Sequence, residues 1–185
     1  MQKELPKRKG IRLKGYDYSQ AGYYFITMCV KDGHEMLGRV VGDAPPRVPR
    51  IPTYSEDNPR AKSPHVQLSE YGTFIDAQIQ KSSQIYPHVL IDKYIIMPNH
   101  VHLIIIIKDG TRRGASPTKS IIPQVMQSLK SITTKKFGFS IWQRSFHDHI
   151  IHNEADYRRI WQYIDENPAN WTQDCYYTQQ ALSTL

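Results

Sequence analysis

Two imidazoles one residue apart on an extended strand can share one divalent cation, and His100-Val101-His102 has that form. Alternation along a strand puts both rings on one face and Val101 on the other. A second pair, His147-Asp148-His149, has the same spacing. With 8 histidines in 185 residues, roughly 0.35 such pairs arise by chance. Spacing alone therefore leaves two ordinary strand histidines as the simpler reading of either pair. Further along, Tyr163 and Asn167 stand four apart and stack on one side of a helical stretch. They border an apolar stripe of Tyr157, Ile160, Trp161 and Ile164. A phenol hydroxyl and an amide oxygen so placed could reach one cleft. Local pattern alone fits better a core-edge tyrosine and an asparagine that stops the helix before Pro168.

Basic and aromatic residues are interleaved: Arg12, Lys14, Tyr16 and Tyr18, then Lys130, Lys135 and Lys136, then Arg158 and Arg159. Phosphate contacts from Lys and Arg, with bases stacked on rings, are the usual way to hold single-stranded DNA. Any one of these clusters could also be a solvated basic face. No glycine-rich phosphate loop, serine nucleophile motif or zinc-type cysteine cluster occurs, and no acidic pair has a spacing that singles it out.

These residues need elements to position them. Residues 1–20 form a basic arm, followed by a strand at Tyr23–Val30 and a second at Gly38–Val41 that would pair with it across Lys31-Asp32-Gly33. Residues 43–66 hold six prolines and read as a surface insertion. A helix starts after Ser69, with Tyr71, Ile75 and Ile79 on one stripe. Strands His88–Met97 and Val101–Ile107 then meet tightly through Pro98-Asn99. A second helix begins near Ser120, with Ile121, Val125, Leu129 and Ile132 in line. A strand over Ile141–Ile151 leads to a helix over 153–168, capped by Asn153 with Asp156 at its third position. Residues 169–185 form a tail. Without the insertion and the first hairpin partner, the order is β-α-β-β-α-β plus a C-terminal helix. The fold class is α+β: a ferredoxin-like or RRM-like antiparallel sheet in one domain over 1–185, with helices on one face.

The bulk numbers agree with that picture. Lys plus Arg outnumber Asp plus Glu by 24 to 17, a net charge of +7, which suits a polyanionic partner or an anionic surface. Cys29 and Cys175 fit no metal-ligand spacing and suggest a reduced compartment. The longest apolar run, Leu103–Ile107, is too short to span a bilayer. With no signal-peptide pattern at the N-terminus, the expected location is cytoplasmic.

Together the stretches resemble the single-tyrosine HUH transposases (insertion sequence 200-like), and within them the REP-associated branch. The matching segments are Ile11-Arg-Leu-Lys-Gly-Tyr-Asp-Tyr, Tyr24-Phe-Ile-Thr, Met97-Pro-Asn-His-Val-His-Leu, Leu129-Lys-Ser-Ile, Trp142-Gln-Arg-Ser-Phe-His-Asp-His-Ile-Ile and Tyr163-Ile-Asp-Glu-Asn-Pro. They run in family order and cover most of the chain outside 43–66. The resemblance implies that His100, His102 and Asn167 hold a divalent ion, Mg²⁺ or Mn²⁺, with Mn²⁺ the tighter on imidazole ligands. It implies that Tyr163 attacks a phosphorus in single-stranded DNA, leaving a 5′-phosphotyrosyl link and a free 3′-hydroxyl, beside a short hairpin. Charge and resemblance together suggest Arg12, Lys14, Tyr16 and Lys130 as DNA contacts, with Phe146, His147 and His149 supporting the strand. A monomer is the expected state, with a homodimer the alternative. His152 departs from the arginine frequent in relatives. The competing readings are a catalytically silent RRM-like nucleic-acid-binding module, though the glycine-aromatic signature of RRM domains is missing, and a metal phosphodiesterase that uses water.

Overall fold

The run of aromatic and then β-branched residues in Tyr23–Thr27 favours an extended chain. In the computed structural model this stretch becomes the centre of the sheet. The structure describes residues 20–42, 63–108 and 120–177. The basic arm, most of the proline-rich stretch and the arginine loop near residue 112 lie outside them.

In chain order the elements are β1 (Gly22–Cys29), β2 (Gly38–Val41), β3 (His65–Leu68), α1 (Glu70–Ile85), β4 (Val89–Ile96), β5 (His100–Ile107), α2 (Ile121–Phe137), β6 (His147–Ile151) and α3 (Glu154–Glu166). The main sheet has the spatial order β4-β5-β1-β6, with every neighbour antiparallel. With β2 and β3 set aside, the chain runs β-α-β-β-α-β. Its third strand lies beside its first in the sheet, which is the ferredoxin-like arrangement expected from the pattern.

Alternation sorts the strand residues between two faces. Tyr24, Ile26 and Met28 of β1, with Val101, Leu103, Ile105 and Ile107 of β5, pack against Ile75 and Ile79 of α1 and Ile122, Val125, Met126 and Leu129 of α2. Each such side chain contributes about 1.5–3 kcal/mol when fully buried, so this face carries most of the stability. The opposite face has a much smaller apolar contact, in which Ile104 and Ile151 meet Ile160 and Ile164 of α3. The first two helices thus cover one face, and α3 packs on the other.

Local signals held where a side chain could act on its own backbone. The Ser69 hydroxyl accepts from Gly72 N at 3.2 Å, and the Asn153 amide oxygen accepts from Asp156 N at 2.9 Å. Gly138, at φ +80°, closes α2 in the left-handed region. Four expectations change. β2 pairs with β3 in a separate two-stranded sheet, not with β1. The last two residues assigned to the insertion, His65 and Val66, open that partner strand. The strand expected over 141–151 is regular only from His147. Ile141, Trp142 and Phe146 are apolar because they plug the main core from a loop. The α2 stripe is also rotated: Thr133 is buried and Ile132 is 39% exposed.

Candidate metal and tyrosine site

β5 begins at the tight Pro98-Asn99 connection, where Met97 N donates to His100 O at 2.8 Å. Both histidines fall on the α3 side of the sheet and are wholly enclosed, at 0% and 1% exposure. Asn99 fixes the first ring. Its Nδ2 donates to Tyr176 O at 2.8 Å and to Gly33 O at 3.2 Å. Its Oδ1 therefore faces His100 Nδ1, 2.9 Å away. An amide oxygen only accepts, so the network assigns the ring hydrogen to Nδ1 and leaves Nε2 a bare lone pair. That Nε2 is buried without a partner. His102 is held similarly: Thr27, opposite it in the β1–β5 register, sets its hydroxyl 2.8 Å from Nδ1.

Burial disfavours the charged imidazolium. It pulls His100 down to about 4 against an opposing pull from Asp174. His102 lies well below the usual imidazole value, through burial first and His100 second. Both rings are neutral near pH 7, the form that binds a metal.

α3 brings the phenol. Its docked residues, Ile160 and Ile164, flank Tyr163, which lies at the edge of the stripe with 38% of its surface exposed. The Tyr163 hydroxyl is 3.2 Å from His102 Nε2 and donates to Asp174 Oδ2 at 3.0 Å. Phe25 packs beside both rings, 5.1 Å from His102 and edge-on to Tyr163 at 6.2 Å. One turn on, Asn167 donates through Nδ2 to the same Asp174 oxygen at 2.7 Å. Its own Oδ1 is left buried and unpartnered. Burial, and then the Asp174 charge and hydrogen bond, hold the Tyr163 hydroxyl above the ordinary phenol range, so it is protonated at rest.

Residues 171–177 close over this arrangement. The Tyr176 ring lies 4.6 Å from His100, Trp171 lies 5.9 Å from it, and Tyr176 N donates to Asp174 Oδ1 at 2.8 Å. A cleft of about 110 Å³ remains, lined by Tyr163, Glu166, Asn167, Asn170, Gln173 and Asp174.

His100, His102 and Asp174 each offer a ligand atom, and these atoms lie within 4.8 Å of one another. Two neutral imidazoles, a carboxylate and a free amide oxygen form a donor set that suits a divalent ion of the Mg²⁺ or Mn²⁺ kind. Two bare buried polar atoms, His100 Nε2 and Asn167 Oδ1, are costly unless something meets them. The residues present fit such an ion.

The structure brings together His100, His102, Tyr163 and Asn167. Arg12, Lys14 and Tyr16 lie outside the described residues. Lys130 lies on α2, where its ammonium donates to the carbonyls of Gln143 and Ser145, each at 2.7 Å, and braces the loop before β6. Thr27, Asn99, Asp174 and Tyr176 were missed. Asn99 adjoins the histidine pair and could have been suspected. Asp174 lies in a stretch without periodicity and gives no local signal.

No protein-family model matches the chain. Among solved structures, a REP-associated tyrosine transposase bound to a REP hairpin superposes with a TM-score of 0.53 at 20% identity, covering 86% of this chain and 73% of its own. The chain therefore shares its fold with that transposase. A protein of Haemophilus influenzae, itself uncharacterized, is 30% identical over 188 aligned positions, covering 92% of this chain and 93% of its own. The chain belongs to the family of that protein. Among the described residues, no helix is long and apolar enough to cross a membrane.

Proposed function

We propose that the chain is a divalent-metal-dependent single-stranded DNA nickase and strand transferase of the transposase kind, with Tyr163 as nucleophile and His100, His102 and Asn167 as ion ligands. The observation that carries the reading is the Tyr163 hydroxyl, 3.2 Å from His102 Nε2, beside two buried donor atoms with no partner. A core tyrosine explains neither bare atom.

In the forward step the Tyr163 oxygen bonds to a backbone phosphorus and the bond from that phosphorus to O3′ breaks. The products are a 5′-phosphotyrosyl link and a free 3′-hydroxyl. Because Tyr163 is protonated at rest, its proton must leave as attack begins, and Asp174 Oδ2 is the acceptor already hydrogen-bonded to it. The leaving 3′-oxygen takes up a proton. A 3′-hydroxyl attacking the link reverses these bonds and rejoins strands, so no outside energy source is required. A bound ion would supply Lewis acidity at the phosphate. The solved transposase of similar fold binds a REP hairpin, and we take hairpin-flanked single strands as the substrate class. The arm residues Arg12, Lys14 and Tyr16 are the proposed DNA contacts, and a monomer is the proposed state.

A covalent-trapping assay on labelled single-stranded hairpin DNA, with Mn²⁺ present or chelated, tests the reading. Wild type should form a metal-dependent protein–DNA adduct, absent in Tyr163→Phe and in His102→Ala. Cleavage that persists in Tyr163→Phe without an adduct would point instead to water as the nucleophile.

A further inference from the structure

We propose that Asp174 is itself a protein ligand of the ion, supplied by the C-terminal segment, so that ion binding and docking of residues 171–177 are one linked event. This rests on the metal reading above and adds a ligand that the histidine motif and the α3 residues do not contain.

Three observations carry it. The Asp174 carboxylate lies with the His100 and His102 ring nitrogens inside a 4.8 Å cluster. Its charge has no cationic partner: among the described residues, the Lys and Arg ion pairs go to Asp156, Glu154 and Asp165. The carboxylate gathers donors rather than charges: Tyr163, Asn167 and the backbone N of Tyr176 donate to it, and the Cys175 thiol is hydrogen-bonded to it as well. It lies against two neutral rings that bring no charge of their own. A divalent cation there would meet its single anionic ligand, and a hard oxygen is the donor that Mg²⁺ and Mn²⁺ prefer.

The linkage follows from where Asp174 sits. The segment is tied down by Asn99 on Tyr176 O, by Asn167 on Asp174 and by the buried Trp171. An ion that takes a ligand from this segment binds the docked state better than the undocked one. It must therefore shift the equilibrium towards docking.

Calorimetric titration of the full chain with Mn²⁺ alone, for wild type, Asp174→Asn and His100→Ala, would be combined with amide hydrogen exchange of residues 171–177 with and without Mn²⁺. Outer partners of metal ligands cost roughly 10- to 100-fold in affinity, and Asp174→Asn should cost at least that. Mn²⁺ should slow exchange across 171–177 in wild type and leave it unchanged in Asp174→Asn. An Asp174→Asn affinity within about twofold of wild type, with binding abolished in His100→Ala, would overturn the Asp174 assignment alone. Wild type that does not bind Mn²⁺, or His100→Ala that binds as wild type does, would bring down the metal reading and this ligand with it. Unchanged exchange in wild type on Mn²⁺ binding would overturn the linkage, and that measurement stands even if a variant unfolds.

Discussion

His100/His102 and His147/His149 share a spacing and a sheet face, and both flank Thr27, which pairs with His102 on one side and His147 on the other. Their surroundings are opposite. β5 is an inner strand, roofed by α3 and residues 171–177, and its rings are sealed from solvent with their inner nitrogens fixed by Asn99 and Thr27. β6 is an edge strand, and both of its histidines are exposed. His149 spends its Nε2 on Asp156 at 2.7 Å, a carboxylate that Arg159 also grips. A two-histidine spacing thus sets only the direction of the rings. The place of the strand in the sheet, and what covers it, decide whether a lone pair is left bare.

The sharpest way to break this contrast is to remove one ring from each pair. His102→Ala should weaken Mn²⁺ binding beyond the roughly 100-fold limit for outer partners and abolish the covalent adduct. His147→Ala should leave both within about twofold, as exposed positions usually do. Calorimetry and trapping on the two variants side by side would decide it, and equal losses would erase the distinction. A smaller effect is expected at Asn99, which sets the His100 ring hydrogen. Asn99→Ala should cost about 10- to 100-fold in Mn²⁺ affinity, measured on protein whose melting shows that it is folded.

The smallest effect concerns the edge pair. The His149 hydrogen bond first, and then Arg159, hold the Asp156 carboxyl below its ordinary value. A lowered acid stabilises the fold above the ordinary carboxylate range near pH 4 and loses that contribution as pH falls through the lowered value. Asp156→Asn should therefore be less stable by about 0.2–1 kcal/mol at pH 7, the range for exposed ion pairs. Thermal melts of the two proteins should converge in acid, and a gap that widened there would contradict the assignment.

What the sequence disclosed about this site followed the range of each signal. Strand alternation placed His100 and His102 on one face, and helical spacing put Tyr163 and Asn167 together. Asn153 acts on a backbone three residues away, so its cap was legible. Asp174 reaches Tyr163 and the histidines only through folding back of a stretch with no period, and no local pattern encodes that return. Thr27 meets His102 across a strand register 75 residues away in sequence, which the alternation of β1 does not specify. Trp142 and Phe146 were misassigned for a related reason: an apolar residue in a loop that fills a core looks like one in a strand.

The register of β4 against β5 slips between Ile91 and Lys93, leaving Asp92 as an extra residue. Before the slip Val89 and Ile91 face the main core, and after it Tyr94 and Ile96 do, so the slip turns Lys93 to the α3 side. Asp92 accepts from the Tyr157 hydroxyl at 2.6 Å. Lys93 lies over the Trp161 ring at 3.6 Å and pairs with Asp165. Besides tethering α3, this arrangement governs how the molecule meets its own copies. Among the described residues β4 is an outer strand of its sheet, the kind of border on which proteins polymerise. An irregular kink and an ammonium midway along it make a poor template, so crowding many copies together should not zip them edge to edge.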